Sequence, residues 1–240
     1  MFGKGQVIST NRGGGIFQLA VDRGIEKLAD GGWVHIFPEG YVNMTRKMTL
    51  RRFKWGVSRM ILEAAGCESD ETAEQVEKHL PVIMPIWITG FDQIMPEPRG
   101  WPRGLPRLGA KVGVHVGTPI DPSEIQAFVD AYMDPRDRTI DSLPTSPQAP
   151  PADEFPPITP LDVPEGGWPA PQSDSLAAQS AAKDTTHKQL VRSALAGFLR
   201  MKLANLGLEV RARKGDTSEG ELAHRLMDAI EEERKIKRVE

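Results

Sequence analysis

The sequence predicts an α/β fold in which helices pack on a central mixed sheet. Short apolar runs that are typical of strands, such as Trp33–Phe37 and Pro81–Ile88, alternate with longer segments whose apolar residues recur at helical spacing. Glycine pairs and prolines separate these segments, as they do at turns. Alternation of strands and helices along a chain is typical of layered α/β domains.

The first third of the chain is predicted to form two strand–helix pairs. Gln6–Thr10 is a short β-type run, and apolar residues then recur at helical spacing from Ile16 to Leu28, before a Gly-Gly pair. Trp33–Phe37 is the second predicted strand. Leu50–Ala65 is the second predicted helix, because its apolar residues share one face and its basic residues occupy the others.

The remaining elements define three parts of the chain. A buried strand is predicted at Pro81–Ile88 and another strand at Lys111–Val116. Residues 134–185 hold eleven prolines and almost no apolar periodicity, so this segment is predicted to be a disordered insertion. Helices are predicted at Thr186–Leu208 and Ser218–Lys237. The three parts are an α/β domain at 1–133, the insertion at 134–185 and a C-terminal helical segment at 186–240.

Charge and composition exclude several classes of function. The 240 residues carry a net charge of −3, so the chain lacks the basic footprint of a nucleic-acid-binding protein. Cys67 is the only cysteine, which excludes a disulfide framework and a cysteine zinc site, and no metal site is predicted. No window approaches the ~20 apolar residues that span a bilayer. Membrane contact is therefore predicted to be peripheral.

Pro38-Glu39-Gly40 directly follows the predicted strand Trp33–Phe37. Proline fixes its own φ and glycine permits a sharp turn, so the Glu39 carboxylate is placed at the C-terminal end of a strand. Open α/β sheets bind their ligands at such ends. Pro-Glu-Gly is also ordinary turn chemistry. Glu39 and Gly40 therefore either line a ligand pocket or form a turn only.

A basic segment follows this turn, since no acidic residue occurs between Glu39 and Glu63. One interpretation is attraction to anionic lipid, worth about 1 kcal/mol for each Lys or Arg near the surface. The other is a solvated helix face. The absence of acidic residues favours the first. The residues predicted to face anionic lipid are Lys47, Arg51, Arg52, Lys54 and Arg59.

Arg12 precedes three consecutive glycines and is a candidate phosphate ligand. Exposed backbone N–H groups and a guanidinium together can hold phosphate. A flexible surface turn is the alternative. The glycines match neither GxGxxG nor a P-loop, so nucleotide binding is poorly supported. His35 and His115 lie within predicted strands and are interpreted as structural histidines.

The FPEG turn lies within GWVHIFPEGYVN, and RFKWG and LPVIMPIW follow it. In order and spacing, these blocks resemble those of a fungal-like member of the tafazzins, from Val7 to about Ile120. Tafazzins are phospholipid–lysophospholipid transacylases of the glycerolipid acyltransferase superfamily. The resemblance implies that Arg12, Glu39 and Gly40 bind the glycerol and phosphate of the substrate. It also implies an acyl-pocket wall, formed by Pro81, Pro85 and Trp87.

The resemblance further implies acyl transfer between phospholipids and lysophospholipids without coenzyme A or another cofactor. Its setting would be cardiolipin remodelling, with peripheral contact to mitochondrial membranes. Two departures matter. Tyr41 and Val42 follow the turn, as in tafazzins, where the superfamily usually has Thr-Arg, so the usual phosphate-binding arginine is absent there. The catalytic signature His-x4-Asp is also absent, since no histidine has an acidic residue at the fifth following position.

We therefore expect a domain that begins after its catalytic histidine and aspartate, with Met1 as a start inside the domain. Two functions stay open. The chain is either part of a tafazzin-type acyltransferase whose catalytic block lies upstream, or a catalytically inactive protein. Such a protein would bind lipid headgroups or have a regulatory role.

Overall fold

A computed structural model describes residues 7–11, 14–40, 50–69, 75–76, 79–94, 109–133 and 175–214. The described helices are α1 (Leu19–Ala29), α2 (Gly56–Ala64), α3 (Phe91–Ile94), α4 (Pro122–Met133), α5 (Leu176–Ala182) and α6 (Thr186–Lys214). The described strands are β1 (Ile86–Thr89) and β2 (Gly113–Val116).

The chain forms two compact units, each assembled from separate segments. The first unit contains Met1–Pro38, Lys54–Val82 and Asp121–Gly197. The second unit contains Glu39–Phe53, Ile83–Ile120 and Phe198–Glu240.

The core of the first unit is a packed pair of helices. Val21 and Ile25 of α1 pack with Met60 and Ala64 of α2, and all four are buried. Gly24 allows the close approach, because a Cβ at this position would lie 2.7 Å from the Met60 Cε. Burial of the Val21, Ile25 and Met60 side chains stabilises the unit by about 1.5–3 kcal/mol for each.

The core of the second unit is a small sheet covered by a helix. β1 and β2 pair in antiparallel register, with Trp87 opposite His115. Trp87 is buried, and its ring lies against Gly207 of α6, where a Cβ would come within 2.7 Å of the ring. Gly90 ends β1 with φ of 90°, and a Cβ there would lie 2.1 Å from the Lys111 carbonyl oxygen. Only glycine fits this position.

The α/β class is confirmed, whereas the sheet is smaller than predicted. The described sheet has two antiparallel strands rather than a mixed set, and neither Val7–Thr10 nor Trp33–Phe37 forms a strand in the described part of the chain. Trp33 is 82% exposed, so the prediction of a buried strand here is wrong. An apolar run forms a strand only where a neighbouring strand accepts its hydrogen bonds.

Element boundaries also differ from the predicted ones. Only the last residues of Pro81–Ile88 are in β1, and Val82 is 77% exposed, because prolines interrupt the hydrogen bonds that pairing requires. α2 begins at Gly56 rather than Leu50. α5 lies within 134–185, so the prediction of disorder is wrong for its residues. Residues 134–174 and Ser218–Lys237 lie outside the described residues.

α5 forms because its N-terminus is capped and its buried face has a partner. The Ser175 side chain accepts the backbone N–H of Ala178, which satisfies a donor that the first helical turn leaves unpaired. Ala177 and Ser180 are buried, and α5 contacts α1 within the first unit.

Candidate functional site

Glu39 and Gly40 form the turn that the sequence marks as a candidate ligand site. Gly40 has φ of 62°, a backbone conformation that residues with a side chain rarely adopt. The Glu39 side chain is half-buried, and its Oε2 atom accepts the backbone N–H of Arg51 at 2.9 Å. The carboxylate therefore holds the backbone of Arg51, within the basic segment, against the turn.

The surroundings of Glu39 are partly dry and carry positive charge. Burial raises the pKa of the Glu39 carboxyl above its ordinary value of 4.5, because desolvation disfavours the ionised form. Arg51 lowers this pKa through its hydrogen bond and its charge, and the charge of Arg200 also lowers it. The effect of burial is larger. In its ionised form, the Glu39 carboxylate carries only hydrogen-bond acceptors and can accept from hydroxyl groups.

Arg200 was not marked by the sequence, although α6 was predicted. It lies on α6 in the second unit, half-buried, and its charge acts on Glu39 across 161 positions of the chain. No local motif signals an interaction between residues so far apart in the chain. A helix position alone does not predict it.

Three of the predicted lipid-facing residues lie just before α2 rather than on it. Arg51 and Lys54 are exposed and Arg52 is half-buried, where burial lowers the pKa of its guanidinium. Phe53, between them, is buried. The Lys54 backbone N–H donates to the Pro38 carbonyl oxygen at 2.7 Å, which fixes this segment beside the turn. Lys47 and Arg12 lie outside the described residues.

Arg59 is buried and ion-paired, so the prediction that it faces anionic lipid is wrong. Its side chain is 0% exposed and lies 2.8 Å from both Asp22 and Glu63. It also donates to the Ile16 carbonyl oxygen at 2.8 Å. A fully desolvated charge is stable only when paired and hydrogen-bonded in this way. One sequence feature indicates this ion pair: Glu63 follows Arg59 by four residues, a spacing that brings two side chains together on a helix.

The buried cluster of Asp22, Arg59 and Glu63 also holds α5 in place within the first unit. Asp22 accepts the backbone N–H of Ala177 at 3.0 Å, and the Ser180 hydroxyl donates to Glu63 at 2.8 Å. Burial raises the pKa of the Glu63 carboxyl, while its bonds to Arg59 and Ser180 act against this shift. The cluster is a structural element of the fold rather than a ligand site.

The predicted acyl-pocket wall is divided between the two units. Pro81 belongs to the first unit, whereas Pro85 and Trp87 belong to the second. The Pro85 carbonyl oxygen accepts the Gly117 backbone N–H at 2.9 Å beside the sheet. Pro81 and Pro85 are half-buried and Trp87 is buried, positions that fit a packed core. Their role in acyl binding stays a prediction.

The described histidines have varied surroundings. His35 is exposed and its ring centroid lies 4.8 Å from that of Phe37, so its predicted place in a buried strand is wrong. His115 is half-buried, with its Nε2 atom 3.4 Å from the Thr89 hydroxyl. His187 Nε2 lies 2.5 Å from the Ala131 carbonyl oxygen. Among the described residues, no group of three His, Cys, Asp or Glu could hold a metal ion.

No helix in the described part of the chain is long and apolar enough to cross a membrane.

Comparison with known proteins identifies the class of the region that contains the turn. Residues 2–89 match the acyltransferase family model. This match includes the Glu39 turn, the basic segment and β1, and it ends where β1 ends. No solved structure matches the chain.

The curated relatives point to particular proteins within this class. The chain is 41% identical over 96 residues to tafazzin of Drosophila melanogaster, an alignment that covers 40% of this chain and 21% of the fly protein. It is 36% identical over 97 residues to N-acylphosphatidylethanolamine synthase of Arabidopsis thaliana, covering 40% and 29%. It is 31% identical over 130 residues to tafazzin of Saccharomyces cerevisiae, covering 40% and 31%.

The resemblance to the tafazzins is thus confirmed over the aligned 96 residues of the fly protein and 130 residues of the yeast protein. The chain spans between about a fifth and a third of the length of these curated relatives.

Proposed function

We propose that this chain is part of a tafazzin-type phospholipid acyltransferase and that it supplies recognition of the lipid headgroup. The observation that carries the proposal is the half-buried Glu39 carboxylate, which accepts the Arg51 backbone N–H at 2.9 Å inside the region that matches the acyltransferases. A glycerophospholipid headgroup offers hydroxyl donors and a phosphate anion. A carboxylate accepts hydrogen bonds from the former, and guanidinium groups bind the latter.

The proposed reaction moves an acyl chain from a phospholipid to a lysophospholipid. The acceptor hydroxyl gives up its proton as it attacks the carbonyl carbon of the donor ester, and a tetrahedral oxyanion forms. The bond to the donor's glycerol oxygen then breaks, and that oxygen takes up the proton. Glu39 and Gly40, together with Arg12, hold the acceptor headgroup. By resemblance, cardiolipin is one substrate and coenzyme A takes no part.

The lipid substrates place the protein at a membrane surface. Arg51, Arg52 and Lys54 next to the headgroup turn add attraction to anionic lipids, which falls off within a Debye length. By resemblance to the tafazzins, this surface is a mitochondrial membrane and the contact is peripheral. Arg59 takes no part, since it is buried.

The second candidate is a protein that binds lipid headgroups without acyl transfer. It is favoured by one feature of these 240 residues: none of the five histidines has an acidic residue at the fifth following position. A missing general base and its orienting partner lower the rate by about 10²–10⁴-fold or more. Both candidates share the headgroup site and differ only in turnover.

One experiment separates the two candidates. The 240-residue chain, and a longer version that carries a His-x4-Asp block, are incubated with lysocardiolipin and labelled phosphatidylcholine. We expect the shorter chain to bind lysocardiolipin and to transfer no acyl groups above background, and the longer version to transfer them. Binding without transfer by the longer version would favour the second candidate. Absence of binding by both would contradict both.

A further inference from the structure

Trp33–Phe37 is a segment of the first unit with the composition of a strand but without strand pairing. Burial alternates along it, since its first, third and fifth residues are exposed and its second and fourth are half-buried. This alternation is typical of an extended chain, whose successive side chains point to opposite sides. Ile36 packs on the core between α1 and α2, whereas the ring centroids of His35 and Phe37 lie 4.8 Å apart on the exposed side.

The backbone of this segment makes no hydrogen bond to residues within the described ranges. The bonds on either side of it belong to Gly32, whose N–H donates to the Lys27 carbonyl oxygen, and to Pro38, whose carbonyl oxygen accepts from Lys54. A row of unpaired backbone groups is a template for pairing with another chain. Proteins often protect such a row with lysine or proline, and the five residues contain neither.

The exposed side of the segment is aromatic. Trp33 is 82% exposed and Phe37 is 64% exposed, although aromatic side chains gain much free energy from burial. Ile36 is fixed on the core, so the segment cannot turn over to bury them. A partner that pairs with the backbone would shield both rings at the same time.

The sequence of the segment is self-complementary about His35. An aromatic residue stands at each end, and Val34 and Ile36 flank the histidine. When two copies pair antiparallel around His35, Trp33 of each copy lies opposite Phe37 of the other. Opposed aromatic residues stabilise antiparallel strands, and β-branched residues fit their pleated surface. None of the five residues is acidic, lysine or arginine, so the pairing sets no fixed charge against itself.

We propose that Trp33–Phe37 pairs with the same segment of a second copy of this chain, as an antiparallel two-stranded ribbon across a dimer. The contact is isologous, because both copies use the same residues around a two-fold axis. A ribbon of five residues from each copy is expected to bury less than the ~1,200 Å² of total surface at which stable complexes begin. The dimer is therefore weak and forms at high protein concentration. This pairing does not depend on lipid binding.

The first test is sedimentation equilibrium of the 240-residue chain from micromolar to millimolar concentration, where we expect a monomer–dimer equilibrium. Trp33→Lys combined with Phe37→Lys should weaken the dimer about ten-fold or more, because lysines then lie opposite each other. Trp33→Lys combined with Phe37→Glu should restore part of the affinity, since each lysine then faces a glutamate. Both positions are exposed, so both variants are expected to fold.

Leu19→Lys is the matched control. Leu19 is an apolar residue of the same unit, at the start of α1, and it is 60% exposed. Its replacement also adds a lysine to an exposed apolar site, but outside the segment. The dimer should keep its affinity in this variant.

The second test uses disulfide formation to measure the register. His35→Cys places a thiol opposite itself, and the Cα atoms of directly opposed residues lie about 4.5–5.5 Å apart, within the span of a disulfide. Mild oxidation of this variant should therefore give a crosslinked dimer. The native Cys67 should not react, because burial raises the pKa of its thiol to about 12.

Two further cysteine variants serve as controls for the crosslink. Trp33→Cys alone should not crosslink, since the two thiols are then four residues, or about 13 Å, apart along the ribbon. Phe37→Cys alone should not crosslink for the same reason. A mixture of the two variants should give a crosslinked dimer, because the two positions are opposed.

Three results would overturn the proposed pairing. The first is a chain that stays monomeric at all concentrations. The second is equal crosslinking by His35→Cys and Trp33→Cys, which would show random collision. The third is a dimer that the two-lysine variant and Leu19→Lys leave equally strong, which would use another surface. If the chain is monomeric and the two-lysine variant unfolds at lower urea concentration, the segment packs within its own chain instead.

Discussion

The backbone N–H of Arg51 donates a hydrogen bond of 2.9 Å to the Glu39 carboxylate. The residue that the sequence marks for ligand binding therefore also contacts the backbone of the basic segment. A glutamine would keep the accepting oxygen and lose the charge. Glu39→Gln thus separates the effect of the negative charge from the effect of the hydrogen bond to Arg51.

The first prediction concerns pH. Because burial raises the pKa of Glu39 above 4.5, the folded state binds this proton more tightly than the unfolded state. The resulting stabilisation is fully present below pH 4.5 and is lost as pH rises through the raised pKa. Urea unfolding of the unchanged chain and Glu39→Gln should show a difference in unfolding free energy that falls as pH rises above 4.5.

Comparing these two proteins isolates Glu39 from other carboxyl groups. The pKa of Glu63 is raised by burial too, and it contributes equally to both proteins. A difference in unfolding free energy that does not change with pH would show that Glu39 has the same pKa in the folded and unfolded states.

The second prediction concerns the buried ion pairs. Arg59→Met should lower the unfolding free energy by about 3–5 kcal/mol, since Asp22 and Glu63 would remain buried without their cation. Arg23→Met, at an exposed position of α1, is the control and should change stability by less than about 0.5 kcal/mol. Equal stability of the two variants in urea unfolding would contradict the observed role of Arg59.

The third prediction concerns the contact between α6 and the sheet. Gly207→Ala would place a Cβ 2.7 Å from the buried Trp87 ring, so helix or ring must shift. Overpacking of this kind costs about 1–3 kcal/mol, which exceeds the gain from the better helix propensity of alanine. Thermal unfolding should show a lower midpoint for this variant. Asn205→Ala, exposed on the same helix, should not lower it.

The fourth prediction concerns the basic segment. Reversing the charges of Arg51, Arg52 and Lys54 to Glu should release the protein from anionic vesicles, since each basic residue contributes about 1 kcal/mol. Binding of the unchanged chain should weaken with salt, because the Debye length shrinks from ~10 Å at 0.1 M to ~3 Å at 1 M. Charge reversal of Arg23 and Lys27, exposed on α1, is the control for vesicle co-sedimentation.

If the triple variant and the control sediment equally with the vesicles, this segment does not contact anionic lipid. The test matters because the net charge of −3 opposes binding by the molecule as a whole. Local charge has to prevail over that repulsion.

Helices were predicted better than strands, for a physical reason. α1 and α6 follow from apolar periodicity within one segment, since a helix satisfies its own hydrogen bonds. A strand depends on a neighbour far away in the chain, so Trp33–Phe37 has strand composition without forming one. α5 was missed because the proline-rich composition before it obscured a short helix with a serine cap.

The candidate site was also predicted well only where local sequence determines the structure. Local turn chemistry marked Glu39 and Gly40, and the positive φ of Gly40 agrees with the predicted turn. The basic segment was predicted to form one lipid-facing surface, but Arg59 is buried and does not belong to that surface. The charge of Arg200 acts on the pKa of Glu39 from a distant part of the chain, which no local pattern encodes.

The most direct test of the account is binding of lysophospholipid headgroup by Glu39→Gln at neutral pH. Loss of the charged acceptor should weaken binding by ~1–3 kcal/mol, whereas the unfolding free energy should change by no more than ~0.5 kcal/mol. Glu26→Gln, exposed on α1, is the matched control. In the longer version with a His-x4-Asp block, Glu39→Gln should also lower turnover. Unchanged binding together with unchanged turnover would reduce the Glu39 turn to a structural element and contradict the proposed headgroup site.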